Sequence, residues 1–157
     1  MEQIWKDMLT EHDKKCLANT SSFQPRRGLG TKPAIIVIDM QKAVIGEDRP
    51  IYEQQDRYPY ACGNFAWAAI RHIHKLLPYA RAHNIPILYS KHCYRPEYGF
   101  AGRPANDVFA FDNPDCGIIP ELEPVIPGDT VVEKQGPSVF FSTNVNNSLR
   151  SKGVDTV

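Results

Sequence analysis

Three apolar runs, each ending in charged or polar residues, dominate the hydrophobic pattern of this chain. They occupy residues 33–39 (PAIIVID), 85–91 (IPILYSK) and 129–134 (DTVVEK). Uninterrupted apolar strands are typical of a parallel sheet that is covered on both faces. The pattern therefore predicts three buried parallel strands, and residues 154–157 (VDTV) are predicted to begin a fourth.

Two helices are predicted between these strands, at residues 64–83 and 140–152. Helical spacing assigns six residues to the inner side of the first: Phe65, Ala68, Ala69, Leu76, Leu77 and Ala80. Pro78 predicts a kink or a break in this helix, because proline lacks the N–H of a helical hydrogen bond. Gly153 is placed to end the second helix. The alternation of strands and helices predicts an α/β fold with right-handed crossovers.

The first 32 residues have a different character. Apolar residues recur at helical spacing within residues 3–17, including Ile4 and Trp5, and a polar, Gly-rich segment follows. We therefore predict a helix and a connecting arm over residues 1–32, and one domain from residue 33 to 157. Three strands and the beginning of a fourth cannot close a doubly covered sheet, so 33–157 is expected to be the N-terminal portion of that domain.

Segments 40–60 and 92–123 are predicted to be long loops, because Gly and Pro punctuate both. A loop as long as the second is usually functional or contains short elements.

Charge and composition exclude several classes of protein. Eighteen basic residues balance eighteen acidic ones, which argues against a nucleic-acid surface. No apolar run approaches the roughly 20 residues of a membrane span, and the charged N-terminus is unlike a signal peptide. We therefore expect a cytoplasmic protein with no membrane partner. The four cysteines form no C-x-x-C pair and are expected to be free thiols. No G-x-G-x-x-G follows a strand, which disfavours a dinucleotide-binding oxidoreductase.

Polar side chains collect where the predicted strands end, and ligands of open parallel sheets bind at that edge. Asp39 follows the first strand, Lys91 and His92 the second, and Glu133 and Lys134 the third. Charged residues also mark strand ends that have no function, so position alone leaves both interpretations open.

Three ordered motifs resemble those of the isochorismatase-like cysteine hydrolases: residues 34–41 (AIIVIDMQ), 133–143 (EKQGPSVFFST) and 151–157 (SKGVDTV). The resemblance spans residues 33–157 and is strongest to the N-carbamoylsarcosine and maleamate amidase branch. It implies a Rossmann-like parallel sheet with helices on both faces. It also implies a homo-oligomer, either a dimer or a tetramer, that hydrolyses a small linear amide or carbamoyl compound without a cofactor.

The resemblance also implies roles for individual residues. Asp39 would take the proton of a cysteine nucleophile and return it to the departing ammonia, and Lys134 would stabilise the thiolate. The nucleophile is expected about ten residues beyond Val157, after a strand of ordinary length. Asp39→Asn is expected to leave folding nearly intact while it lowers turnover by about 10²-fold or more. Cys93, next to His92, matches no nucleophile position of the family and is interpreted as a packing residue.

Substrate contacts are predicted from the flanking segments. Gln41 could bind a substrate amide or satisfy the local backbone. Tyr94, Arg95 and Arg103 lie on the long second loop, where an arginine could pair with a substrate carboxylate. Phe140 is expected to alternate with Phe141 between the core and the pocket wall.

No metal site is predicted. The loop after the first strand lacks the Asp-x-His pair of nicotinamidase-type members, and His72 and His74 are too close in sequence to share a helical face. The helical histidines are interpreted as surface groups.

Three alternatives to the amidohydrolase remain open at this stage: a binding or regulatory domain without chemistry, an isochorismatase-type hydrolase, and a nicotinamidase-type hydrolase.

Overall fold

The computed structural model describes residues 6–19, 30–95, 97 and 107–157. Ile4, Trp5 and Arg103 lie outside these ranges. The strands are β1 (Ile35–Ile38), β2 (Ile87–His92) and β3 (Thr130–Lys134). The helices are α1 (Glu11–Asn19), α2 (Lys42–Ile45), α3 (Gly63–Ala82) and α4 (Val145–Ser151), with 3-10 turns at Lys6–Met8, Ile51–Glu53, Pro114–Cys116 and Pro120–Leu122.

The three strands form one parallel sheet in the order β1-β2-β3. The β-branched run of β1 suits a pleated strand, and Ile36 pairs with Leu88 of β2. The predicted burial of β1 is met only in part, since Val37 is buried, Ile35 and Ile36 are partly buried, and Ile38 is exposed. On its other side, β1 is bordered by a parallel bridge between Pro33 and Thr156. Of the predicted fourth strand, this bridge is the part that the structure contains.

Helices cover both faces of the sheet, as the α/β prediction requires. On one face, Val37 and Tyr89 pack with α3, which contributes Ile70 and Leu77. On the other face, a second apolar cluster joins the strands to α4: Ala34, Leu88, Val132, Val139, Val145 and Leu149. The side chains of successive residues in each strand therefore pack on opposite faces of the sheet.

The predicted inner side of α3 is largely wrong. Leu77 and Ala80 are buried, whereas the other four predicted residues, Phe65, Ala68, Ala69 and Leu76, are exposed. Gly63, Ile70, Leu77 and Ala80 are the buried residues of α3, and their spacings of seven, seven and three positions keep them on a single helical face. The helix continues through Pro78 without a break.

Two further boundaries differ from the sequence prediction. Residues 40–60 contain the short helix α2 and a 3-10 turn, and α4 begins at Val145 because residues 135–144 form turns. The predicted end of α4 is confirmed. Gly153 has φ +68°, its N–H bonds to the Arg150 carbonyl, and the Val154 N–H bonds to the Leu149 carbonyl. These two bonds are a Schellman motif.

Helix α1 contains no buried residue. Among the helices of the described residues, none combines the length and the apolar character needed to span a bilayer.

Candidate active site

Asp39 and Lys134 form an ion pair at the carboxyl edge of the sheet. The Lys134 Nζ lies 2.6 Å from Asp39 Oδ2 and donates a 2.6 Å hydrogen bond to the Pro137 carbonyl oxygen. The Lys134 side chain is 2% exposed, whereas that of Asp39 is 21% exposed. The carboxylate therefore reaches solvent, while the ammonium group beneath it is enclosed by the protein.

Strand geometry brings the two residues together although 95 positions separate them in the sequence. Asp39 directly follows β1, and Lys134 is the last residue of β3. Strand β2 lies between them, with His92 opposite Lys134 in register. The Asp39 backbone has φ +52°, the left-handed region that few residues other than glycine adopt. The chain therefore turns sharply at the end of β1.

Ser90 of β2 also belongs to this cluster, although the sequence analysis did not select it. Its hydroxyl group donates a 2.6 Å hydrogen bond to Asp39 Oδ1. The Asp39 N–H lies 3.1 Å from the same hydroxyl oxygen and 3.2 Å from the Ser90 carbonyl oxygen. The sequence feature that could have identified Ser90 is its position, directly before the charged end of β2.

A second charged cluster occupies the α3 side of the same edge. Arg95 Nε and Nη2 donate to Glu133 Oε2 and Oε1 at 2.9 and 3.2 Å, and Lys91 Nζ lies 3.3 Å from Glu133 Oε1. The hydrogen bonds from Arg95, reinforced by Lys91 and opposed by partial burial, hold the pKa of Glu133 below its ordinary value. Alternation along β2 and β3 separates this cluster from Ser90 and Lys134.

Gln41 is completely buried, and its amide group is occupied by the backbone. Its Nε2 donates to the carbonyl oxygens of His92 and Cys116 at 2.8 and 2.6 Å. Its Oε1 accepts the His92 N–H at 2.7 Å. Of the two roles considered for Gln41, these contacts correspond to the structural one, because they connect the end of β1 to the end of β2 and to the 3-10 turn at Cys116.

The other predicted substrate residues differ in their surroundings. Arg95 is held by Glu133, and its guanidinium lies 5.4 Å from the Phe111 ring centroid. Tyr94 packs edge-on against His92 with ring centroids 4.7 Å apart. Phe140 and Phe141 are both exposed, so the predicted alternation with the core is wrong. The turns of residues 135–144 give no helical or strand period, and the neighbouring Val139 enters the core instead.

The four cysteines differ in solvent exposure. Cys16 and Cys62 are exposed, whereas Cys93 and Cys116 are buried. Burial, together with the neighbouring Cys93, raises the pKa of Cys116 to about 12. A thiol with that pKa is protonated at neutral pH, and a completely buried Cys93 cannot meet a substrate in this conformation.

The helical histidines are exposed, as the sequence analysis predicted, and His74 Nδ1 lies 3.0 Å from the Glu121 carbonyl oxygen. In the described part of the chain, no group of three or more His, Cys, Asp or Glu side chains could hold a metal ion.

Comparison with solved structures supports the same architecture. A cysteine hydrolase from Pseudomonas syringae pv. phaseolicola 1448A has a TM-score of 0.65 and 26% identity, over 83% of this chain and 62% of that one. An N-carbamoylsarcosine amidase from Thermoplasma acidophilum has a TM-score of 0.59 and 27% identity, over 81% of this chain and 65% of that one.

Curated sequences give a similar result. The ureidoacrylate amidohydrolase RutB of Agrobacterium fabrum is 28% identical, over 79% of this chain and 60% of its own length. The N-carbamoylsarcosine amidase of an Arthrobacter species is 26% identical, over 88% of this chain and 52% of its own length. The chain thus spans between half and two thirds of these relatives.

A family profile described as the isochorismatase domain matches residues 33–157. The match begins two residues before β1 and includes Asp39, Ser90 and Lys134. With four fifths of its length accounted for by this profile, the chain belongs to the isochorismatase family of hydrolases.

Proposed function

We propose that the protein is a cysteine-dependent amidohydrolase that cleaves a small linear amide or carbamoyl compound and releases ammonia. The observation that carries this proposal is the Asp39–Lys134 ion pair at the ligand-binding edge of the sheet. It places one accessible carboxylate beside one enclosed positive charge. A nucleophilic thiol needs both a proton acceptor and a nearby cation.

Asp39 is suited to the first of these tasks. Its carboxylate is partly exposed, and each carboxylate oxygen has two acceptor sites. Both oxygens therefore retain acceptor capacity after the contacts with Ser90 and Lys134. In the proposed reaction, Asp39 accepts the thiol proton as sulfur attacks the carbonyl carbon. It returns that proton to the leaving nitrogen, and ammonia departs as the C–N bond breaks.

Lys134 is suited to the second task. Its ammonium group is fixed by Asp39 and the Pro137 carbonyl oxygen and is shielded from water. A fixed charge in a poorly solvated place acts more strongly on a neighbouring thiolate than a solvated one does. A water molecule that Asp39 deprotonates then attacks the thioester carbonyl carbon, the C–S bond breaks, and the departing thiolate takes the proton back from Asp39. The nucleophile in this proposal is a cysteine thiol at the same edge of the sheet, beside the ion pair.

The relatives support an amide as the substrate class. A ureidoacrylate amidohydrolase and N-carbamoylsarcosine amidases share the matched region. Both names describe enzymes that act on a C–N bond of a small molecule. The proposal transfers this bond type to the present protein and leaves the remainder of the substrate open.

The test is ammonia release by the complete protein from a panel of ureido acids, N-carbamoyl amino acids and simple primary amides. Lys134→Met and Asp39→Asn should each lower kcat/KM by about 10²-fold or more. The matched control is Asp129→Asn, which disrupts the 2.5 Å ion pair with Arg81 at the opposite edge of the sheet. The Asp129 side chain is 5% exposed, so its replacement should reduce stability and leave kcat unchanged.

Three results would contradict the proposal. Activity of Asp39→Asn within a few-fold of the unmodified protein would remove the general base. Hydrolysis of a vinyl ether such as isochorismate, with no ammonia from any amide, would indicate a different bond specificity. Binding of these compounds without turnover would indicate a binding domain.

A further inference from the structure

We infer that Ser90 is the positioning residue of the Asp39 carboxylate, a role that rests on the proposed function of Asp39. The Ser90 side chain is 1% exposed, so its hydroxyl group cannot exchange its partners for water. Its short bond to Asp39 Oδ1 is a charge-assisted hydrogen bond. Ser90 therefore acts on the reacting groups through Asp39 and has no direct contact with the substrate in this proposal.

The hydroxyl group restrains Asp39 at two points. As a donor it fixes Oδ1, and as an acceptor it binds the Asp39 N–H at 3.1 Å. The second contact supports a backbone in the left-handed region, with φ +52°. Both the side chain and the main chain of the proposed base are consequently held by one buried atom.

Orientation matters because the last torsion of an aspartate is broad and has no strong preference of its own. With Oδ1 held by Ser90, Oδ2 is directed to Lys134. Removing the hydroxyl group leaves Lys134 as the remaining side-chain contact described for this carboxylate. The carboxylate can then rotate, and the fraction of molecules with the base correctly aligned falls.

A purely structural serine would behave differently. Such a residue satisfies its own hydroxyl group and contributes to stability, and its loss would not affect kcat beyond the loss of folded protein. A positioning residue instead lowers kcat with little change in KM, because the substrate contacts remain intact. The two roles are therefore separable by kinetics.

The experiment compares Ser90→Ala with Ser90→Thr in the complete protein, using the amide that the unmodified enzyme hydrolyses best. Ser90→Ala should lower kcat by about 10- to 100-fold, the scale of one hydrogen bond to a charged group. KM should stay within about twofold of its original value. Ser90→Thr keeps a hydroxyl group and should recover most of the lost kcat.

A double-mutant cycle with Asp39→Asn provides the second measurement, and it remains informative if the threonine variant does not fold. If Ser90 acts through Asp39, Ser90→Ala should have less than about a threefold effect in the Asp39→Asn background. The matched control is Gln54→Ala. Gln54 is also buried, and its hydrogen bonds hold Glu47 and Arg49 of a separate loop. Its replacement should lower stability and leave kcat unchanged.

Each remaining outcome has a definite meaning. If Asp39→Asn abolishes turnover while Ser90→Ala keeps the original kcat, the inference is overturned and the proposed function stands. A full Ser90→Ala effect in the Asp39→Asn background also overturns it, since the hydroxyl group then acts elsewhere. Unimpaired Asp39→Asn, or no turnover by the unmodified protein on the whole panel, overturns the proposed function and this inference together.

Discussion

Burial of the Lys134 ammonium group changes what Asp39→Asn does to stability. From the sequence, the substitution is expected to leave folding nearly intact, because asparagine preserves the shape of aspartate. In the structure, the same substitution removes the counter-ion of a lysine that is 2% exposed. An enclosed charge without a partner is strongly destabilising, because it is neither hydrated nor neutralised.

The magnitude follows from the contacts. Breaking a buried ion pair from one side costs about 3–5 kcal/mol. Here the Pro137 carbonyl oxygen still accepts a hydrogen bond from Lys134, and Asp39 is partly exposed. We therefore expect Asp39→Asn to lower the free energy of unfolding by about 2–3 kcal/mol, at or just below the lower limit of that range. Lys134→Met should cost less, about 1–2 kcal/mol, because water can hydrate the carboxylate that remains.

Urea unfolding of the two single variants and the double variant, followed by circular dichroism, measures these differences. The double variant contains no buried charge without a counter-ion, so it should be more stable than Asp39→Asn alone. The refuting result is an Asp39→Asn midpoint equal to that of the unmodified protein. Simple addition of the two single effects would also refute the reasoning, because residues in contact should be coupled by about 1 kcal/mol or more.

Two further predictions concern titration and reactivity. The pKa of Glu133 is held below its ordinary value of 4.5, chiefly by Arg95. The stability that this pair provides is therefore present above pH 4.5 and lost as the pH falls through the lowered pKa. Glu133→Gln should be less stable than the unmodified protein at pH 7, with a difference that shrinks toward pH 3 in urea titrations. An equal difference at both pH values would contradict this. Iodoacetamide at pH 8 should label the exposed Cys62 and not Cys116, because burial raises the pKa of the Cys116 thiol to about 12. Peptide mass spectrometry of the native and the unfolded protein measures the labelling of each cysteine. Equal labelling of the two cysteines in the native protein would disprove this prediction.

The sequence predicted the sheet better than it predicted the helix faces. The run of Ile and Val in β1 fits few structures other than a strand buried on both sides, so its position and direction were readable. In α3, by contrast, apolar residues occur around much of the helix. Choosing Phe65 and Leu76 for the core was wrong because their side chains lie off the stripe defined by Ile70 and Leu77.

The candidate site was readable in part. Asp39 and Lys134 were identified by their motifs, but their 2.6 Å contact depends on the register of three strands. Neither the burial of Lys134 nor the hydrogen bond from Ser90 can be derived from one-dimensional spacing. The same limitation applies to the Glu133 cluster. Alternation along a strand places the Glu133 cluster on the face of the sheet opposite to Ser90 and Lys134. Which face that is can be determined only when the core residues on each face are known.

The bridge between Pro33 and Thr156 has a consequence for the order in which the protein assembles. Ala34 donates to the Thr156 carbonyl oxygen at 2.8 Å, and the Lys32 N–H binds Asp155, 123 residues away in sequence. At ribosomal rates of about 5–20 residues per second, the second partner emerges on the order of 10 s after β1. During that interval the edge of β1 that faces residues 155–156 is unpaired. Unpaired strand edges can form hydrogen bonds with other chains. The strand that ends at Asp39 is thus synthesised well before the segment at residues 155–156 that borders it.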